Sequence, residues 1–310
     1  MHDFRFRAAL AGAVSLLALH ACGNANSASE ASLGSQTQPV QIQVPPAGQL
    51  PTDVTPLAYR LELKTDPDAD SFSGNVAIDV ALTAPHARIW LHSVDQTVLA
   101  TKAVLDDGTH IPATFTGNQA PGGVSRLDFD SPIPAGTATL EISYTAPYNM
   151  GLAGLYKAVQ SDTDYLATQM EAIDARRMVP SFDEPRFKTP WSVTVTAPEG
   201  MQVVSNGEEI SAEPAEDGWT RHVFAETRPI QSYLVALAVG PYEMRPAPAI
   251  PANALREASV PLRGFAARGK RDQLSEALDI TDEMLLWQED YFDYSYPYGK
   301  LDLIAAPEFA

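Results

Sequence analysis

Between residues 56 and 145 the chain is cut into short runs in which apolar and polar side chains alternate. They read Tyr59-Arg-Leu-Glu-Leu, Gly74-Asn-Val-Ala-Ile-Asp-Val-Ala-Leu, Ala87-Arg-Ile-Trp-Leu-His, Arg126-Leu-Asp-Phe and Ala138-Thr-Leu-Glu-Ile-Ser-Tyr. A period of two places every second side chain on one face of an extended segment, so each run predicts a strand with one face to bury. Asp-Pro, Asp-Asp-Gly and Pro-Gly-Gly turn signals separate them. Strands this short and this regularly spaced predict a mainly β fold, an antiparallel β-sandwich or a curved, saddle-like sheet. The 25 prolines and 19 glycines, spread along the chain, suit many strands joined by turns.

Length and charge narrow the function classes. A chain of 310 residues has room for one large or two medium domains with a real core. The net charge of −18, from 39 acids against 21 bases, argues against nucleic-acid partners and against a polybasic membrane surface. One cysteine excludes an internal disulfide and a cysteine-rich metal site.

Taken in order, residues 1–21 predict an export signal: Arg5 and Arg7 precede an apolar run that is too short and too rich in small residues to span a bilayer. The run ends in Leu19-His-Ala-Cys22, which resembles a bacterial lipoprotein signal and implies that Cys22 is lipidated. An ordinary secretory peptide with an incidental cysteine is the alternative. Residues 22–50 carry Ser, Ala, Gln, Asn and Pro with few large apolar groups and predict a disordered tether. The expected address is the cell envelope, lipid-anchored and facing the periplasm or the exterior.

Residues 51–245 are expected to form the β domain. Within it, Trp191-Ser-Val-Thr-Val-Thr-Ala-Pro and Met201-Gln-Val-Val-Ser-Asn-Gly read as a strand pair with an Asn-Gly turn, and the apolar run after Pro229 as a buried closing strand. Residues 246–251, rich in proline, predict a linker. Beyond them, Leu274, Leu278, Thr281, Leu285 and Phe292 fall at helical spacing. Tyr296-Pro then stops the helix before a strand from Lys300. Tyr291, Tyr294, Tyr296 and Tyr298 are expected to pack at the helix end rather than to form a ligand platform.

The densest chemistry lies in residues 165–190. Leu166, Thr168, Met170 and Ala172 alternate with Tyr165, Ala167, Gln169 and Glu171, which places an amide and a carboxylate on one face. Spacing alone reads these two as solvated strand residues. Asp174, Arg176, Arg177, Asp183, Glu184, Arg186 and Lys188 follow, between Pro180, Pro185 and Pro190. Opposed charges beside a hairpin usually form a hydrogen-bonded brace, the role expected of Arg176, Arg177, Asp183 and Glu184.

Several motifs in order, Pro56-Leu-Ala-Tyr-Arg-Leu, Gly151-Leu-Ala-Gly-Leu-Tyr, Thr168-Gln-Met-Glu-Ala, Ala175-Arg-Arg and Pro180-Ser-Phe-Asp-Glu-Pro, resemble the zinc aminopeptidases of the aminopeptidase N type. The resemblance implies that a hairpin carries Gln169 and Glu171 toward the N-terminus of a peptide substrate, with Glu171 facing the protonated amine and Gln169 fixing it. It also implies a zinc cofactor in the full-length enzyme, held by His-Glu-x-x-His and a further Glu. None of the histidines (His2, His20, His86, His92, His110, His222) has a partner four positions away or a following Glu. No metal ligand and no catalytic residue is therefore expected within this chain. His92 is expected to be a half-buried strand residue. Residues 246–310 would be the linker and the opening helix and strand of a truncated catalytic domain, inert alone. The rival reading is a non-catalytic β-sandwich binding or scaffold lipoprotein.

Overall fold

A computed structural model of the chain describes residues 44–308, which fall within one compact unit. The signal segment, Cys22 and most of the tether lie outside the described residues. A ten-stranded sheet forms the body. Seven of its strands come first in the chain: β1 (Val54–Lys64), β2 (Ser71–Leu82), β3 (His86–His92), β4 (Thr97–Leu105), β5 (His110–Ala120), β6 (Val124–Ile133) and β7 (Gly136–Pro147). Two further strands, β8 (Gly154–Val159) and β9 (Asp164–Gln169), make a hairpin. They are followed by β10 (Trp191–Pro198), β11 (Gln202–Ser205), β12 (Glu209–Pro214), β13 (Trp219–Phe224) and β14 (Leu237–Gly240).

The ten strands run in the order β12-β13-β10-β1-β2-β7-β4-β5-β6-β3. Alternation is plain in β2, where Phe72, Gly74, Val76, Ile78, Val80 and Leu82 are buried and the residues between them are not. The beginning of β5 pairs with β4 and its later residues pair with β6, so β5 turns the ribbon over its own core. One continuous apolar cluster fills the enclosed space, from Leu50 and Val54 through Trp90 and Tyr144 to Val239. The Tyr59 and Trp191 rings stack within it at 4.0 Å, beside the β1–β10 ladder.

That ladder is parallel, and it overturns the expected pairing of the two segments after Pro190. β10 inserts between β1 and β13, whereas β11 leaves for a second, four-stranded sheet of order β11-β14-β9-β8. The closing strand β14 keeps only four residues, all buried, because residues 232–234 form a 3-10 turn.

A third sheet follows: β15 (Glu243–Ile250), β16 (Val260–Ala266) and β17 (Leu301–Ala305), with the helix α1 (Ser275–Phe292) between the last two. The expected linker at 246–250 is thus part of an edge strand. β15 pairs on one side only, with β16, and prolines are tolerated where no neighbour needs their missing N–H. Leu274, Leu278 and Leu285 pack on this sheet as the helical spacing predicted. Phe292 does not: it is exposed, and the buried residue of the last turns is Glu289. Tyr291, Tyr294 and Tyr298 are also exposed, contrary to the expected packing, and only Tyr296 joins the small core. The helix stops at Asp293, which adopts a left-handed conformation, before Tyr296-Pro is reached. The tether, expected to run through residue 50, stops short of it, because Leu50 is buried in the body core.

Candidate functional site

The four-stranded sheet is a middle layer, and this fixes where the hairpin points. Leu166 of β9 faces the body core, while Tyr165 packs with Tyr242 and Phe265, and Ala167 with Tyr156. Both faces of β9 are therefore buried, and the expected solvent face is covered by the third sheet. Thr168 ties the strand down where its ladder ends. Its hydroxyl accepts the Leu237 N–H at 2.9 Å.

β9 ends at Gln169, opposite Gly154 of β8. Glu171 thus lies beyond the strand, and the pleat does not carry it onto the face of Gln169. A direct bond does the work instead: the Gln169 Oε1 accepts the Glu171 backbone N–H at 3.1 Å. Between them Met170 is buried in the body core and plants the turn, while Glu171, Ala172 and Ile173 project outward. The Glu171–Ala172 peptide bond is cis. Gly154 is required here twice over. Its φ is +68°, and a Cβ would come within 2.7 Å of the Arg177 Cβ.

Under this tip lies a buried polar network centred on Arg176. Its Nε donates to the Asp183 Oδ2 at 2.8 Å, its Nη2 to the Asp183 carbonyl at 2.7 Å, and its Nη1 to the Gly122 carbonyl. The Arg176 backbone N–H donates to the same Asp183 oxygen, and its carbonyl accepts from Val94 and the Gln96 side chain. Asp183, fully buried, takes the Ser232 hydroxyl on its other oxygen at 2.5 Å. Every arm of the pair is therefore satisfied, the condition under which a buried ion pair is tolerated. Together these bonds join the 3-10 turn Ala175–Arg177, the β3–β4 and β5–β6 turns, and the segment before β14. Tyr144 adds a tie from below, passing over Gly74 to donate to the Met178 carbonyl at 2.9 Å.

The four expected brace residues do not form one cluster. Arg177 faces outward to Asp174 and Asp95, at 2.8 and 3.4 Å. Glu184 pairs with Arg186 and with the backbone of Leu50. His92, expected half-buried, is fully buried at the end of β3. Burial pushes its imidazole down to about 3, and the nearby Arg176 and Arg186 charges push the same way, so the ring is neutral. Sequence reasoning missed Thr168 and Ser232 as structural partners; a hydroxyl within an apolar run was the available signal for both.

Among the described residues, no three His, Cys, Asp or Glu side chains gather as a metal-binding group. With no histidine pair at helical spacing either, the residues present do not fit a zinc site.

Residues 55–234 match the family model described as the peptidase M1 N-terminal domain. The chain belongs to the peptidase M1 family. It is 32% identical over 266 residues to aminopeptidase N of Acetobacter pasteurianus, covering 84% of this chain and 71% of that relative. It is 31% identical to aminopeptidase M1-B of rice, and 26% identical to human glutamyl aminopeptidase. In both cases 84% of this chain is matched, and it spans only 29% and 28% of those relatives. The M1 match begins at β1 and contains the hairpin and its brace. The third sheet and α1 lie beyond it.

Proposed function

We propose that this chain is the substrate-recognition part of an M1 aminopeptidase, an enzyme that releases residues from the N-termini of peptides. Glu171 is the carboxylate that receives the protonated amine, and Gln169 positions it. The observation that carries the reading is the bond from the Glu171 N–H to the Gln169 Oε1, at a tip planted by Met170 above the Arg176–Asp183 pair. A free N-terminus is distinguished from an internal peptide bond by its charge, and a fixed carboxylate in a site closed to water reads that charge strongly. Hydrolysis, and the zinc that the aminopeptidase N resemblance implies, are assigned to residues outside this chain.

The test is kinetic. In the complete aminopeptidase, Glu171→Ala should lower kcat/KM on peptides with a free amine by about 2–4 kcal/mol of recognition. An unchanged kcat/KM removes the role. Reading the coding DNA past Ala310 separates the enzyme from the binding-module alternative: an in-frame His-Glu-x-x-His supports the former. The envelope address rests on residues 1–22, with Cys22 as the lipid attachment point. Cys22→Ala should move the protein from the membrane fraction to the soluble one, and a variant that still pellets argues against the anchor.

A further inference from the structure

The loop that follows the brace holds a second, separate feature, which reads a backbone rather than a side-chain charge. Leu50 sits just before β1, and its N–H donates to the Glu184 Oε1 at 2.5 Å. Its carbonyl accepts from the Arg186 Nη2 at 2.8 Å. The Arg186 Nε also donates to the second Glu184 oxygen, so the two side chains form one continuous clamp. Between the two bonds the Leu50 side chain turns inward and joins the body core. Ala47, Gly48 and Gln49, immediately before it, are exposed, and Thr52 after it is exposed again. A single buried residue is therefore gripped on both sides of its backbone, between exposed residues 47–49 and half-buried Pro51.

The backbone that carries the clamp is held by bonds that do not involve Leu50. The Phe182 N–H donates to the Tyr59 hydroxyl at 3.0 Å, the Glu184 N–H to the Phe182 carbonyl, and the Phe187 N–H to the Glu184 carbonyl. The Arg186 guanidinium lies 4.4 Å from the Phe187 ring centre, which holds it over the loop. A carboxylate acceptor, a guanidinium donor and an apolar socket, carried on a braced loop, are what a peptide needs for recognition at one residue.

We infer that Glu184, Arg186 and the socket beside them form an internal peptide-binding site, specific for one extended residue with an apolar side chain. Its ligand is the chain's own Leu50. The site anchors the segment before β1 to the body. It makes Glu184 the receptor for this strap, distinct from the Arg176–Asp183 pair that supports the hairpin.

Amide hydrogen exchange on the full chain reads this directly. The Leu50 amide should exchange at least about ten-fold more slowly than that of Gln49, because its N–H is held by a charged acceptor. Glu184→Gln should accelerate Leu50 on the order of ten- to a hundred-fold while Ile78 and Ile142, deep in β2 and β7, stay protected. Leu50 exchanging as fast as Gln49 in the unaltered chain overturns the inference, as does a Glu184→Gln variant in which Leu50 is unaffected. If Glu184→Gln exposes Ile78 as well, the domain has opened and Arg186→Gln is the deciding variant. Faster exchange at Leu50 with Ile78 still protected then supports the site, and no change at Leu50 overturns it.

Discussion

The β body and the C-terminal lobe of residues 243–308 each contain a buried arginine–carboxylate pair, but the pairs sit in very different surroundings. Arg176 and Asp183 lie beside a core that draws on every strand of the ten-stranded sheet except the edge strand β12. Arg256 and Glu289 lie beside a cluster of seven buried apolar residues, with Glu289 on the inner face of a helix that exposes Trp287, Tyr291 and Phe292. In the lobe, polar ties carry a larger share of the structure. Glu289 receives the Arg256 Nε at 2.8 Å, the Tyr296 N–H at 2.7 Å and the Asn253 amide at 2.6 Å, linking the end of α1 to the loop between β15 and β16. A large core can be interrupted for a network that positions a site, whereas a small one needs its network to stay together.

The largest expected effect is that of Asp183→Ala, which leaves the Arg176 guanidinium buried without its carboxylate. About 3–5 kcal/mol of stability should be lost, and urea unfolding should shift as a single transition because the whole body is affected. Glu289→Ala should cost somewhat less, about 3 kcal/mol, since the Asn253 amide and Tyr296 N–H that also lose a partner are only part-buried, whereas the Ser232 hydroxyl and Arg176 N–H bonded to Asp183 are buried. Its signature is different: fluorescence from exposed Trp287 should change at lower urea than the far-UV signal of the body. Coincident transitions in that variant would break the comparison.

Acid should separate the same two regions. The Arg256 hydrogen bond holds the Glu289 carboxyl below its ordinary 4.5, helped by the Tyr296 N–H and against the effect of burial. Its contribution is present above 4.5 and is lost as the pH falls through the depressed value. His92 in the body acts earlier. Its folded value of about 3 lies below the ordinary 6.5, so the unfolded chain binds the extra proton first. Stability should decline from pH 6.5 downward, on the order of a few kcal/mol in all, and His92→Gln should flatten that slope. A slope unchanged in the variant would assign the acid limb to other groups. The smallest effect is expected at the tip. Glu171→Ala should alter stability by no more than about 0.5 kcal/mol, because the side chain is exposed. A larger loss of melting stability would make Glu171 a structural residue.

The strands were legible because a sandwich strand writes its burial into alternate positions, as in Phe72 to Leu82. Their order was not. The pairing of Tyr59 with Trp191 joins distant segments and leaves no local trace. Nor did the pattern show that β9 is covered on both sides, since Tyr165 and Ala167 suit a half-exposed strand equally well. The motif around Glu171 was readable from sequence, but the bond that positions it depends on where β9 stops. Opposed charges in residues 174–188 announced a brace without saying which carboxylate meets which arginine, and Glu184 went to Leu50 instead.

The parallel ladder between β1 and β10 also sets a schedule for synthesis. β1 can pair with β2 soon after both leave the ribosome, but its other edge waits for a strand encoded well over a hundred residues later. During that interval Tyr59, Leu61 and Leu63 lie along an open row of backbone donors and acceptors, the kind of edge that recruits stray strands. The stack of Trp191 on Tyr59 is then more than a core contact. It marks the pairing that covers the free edge of β1, and conditions that slow the arrival of residues 191–198 should favour aggregation over folding.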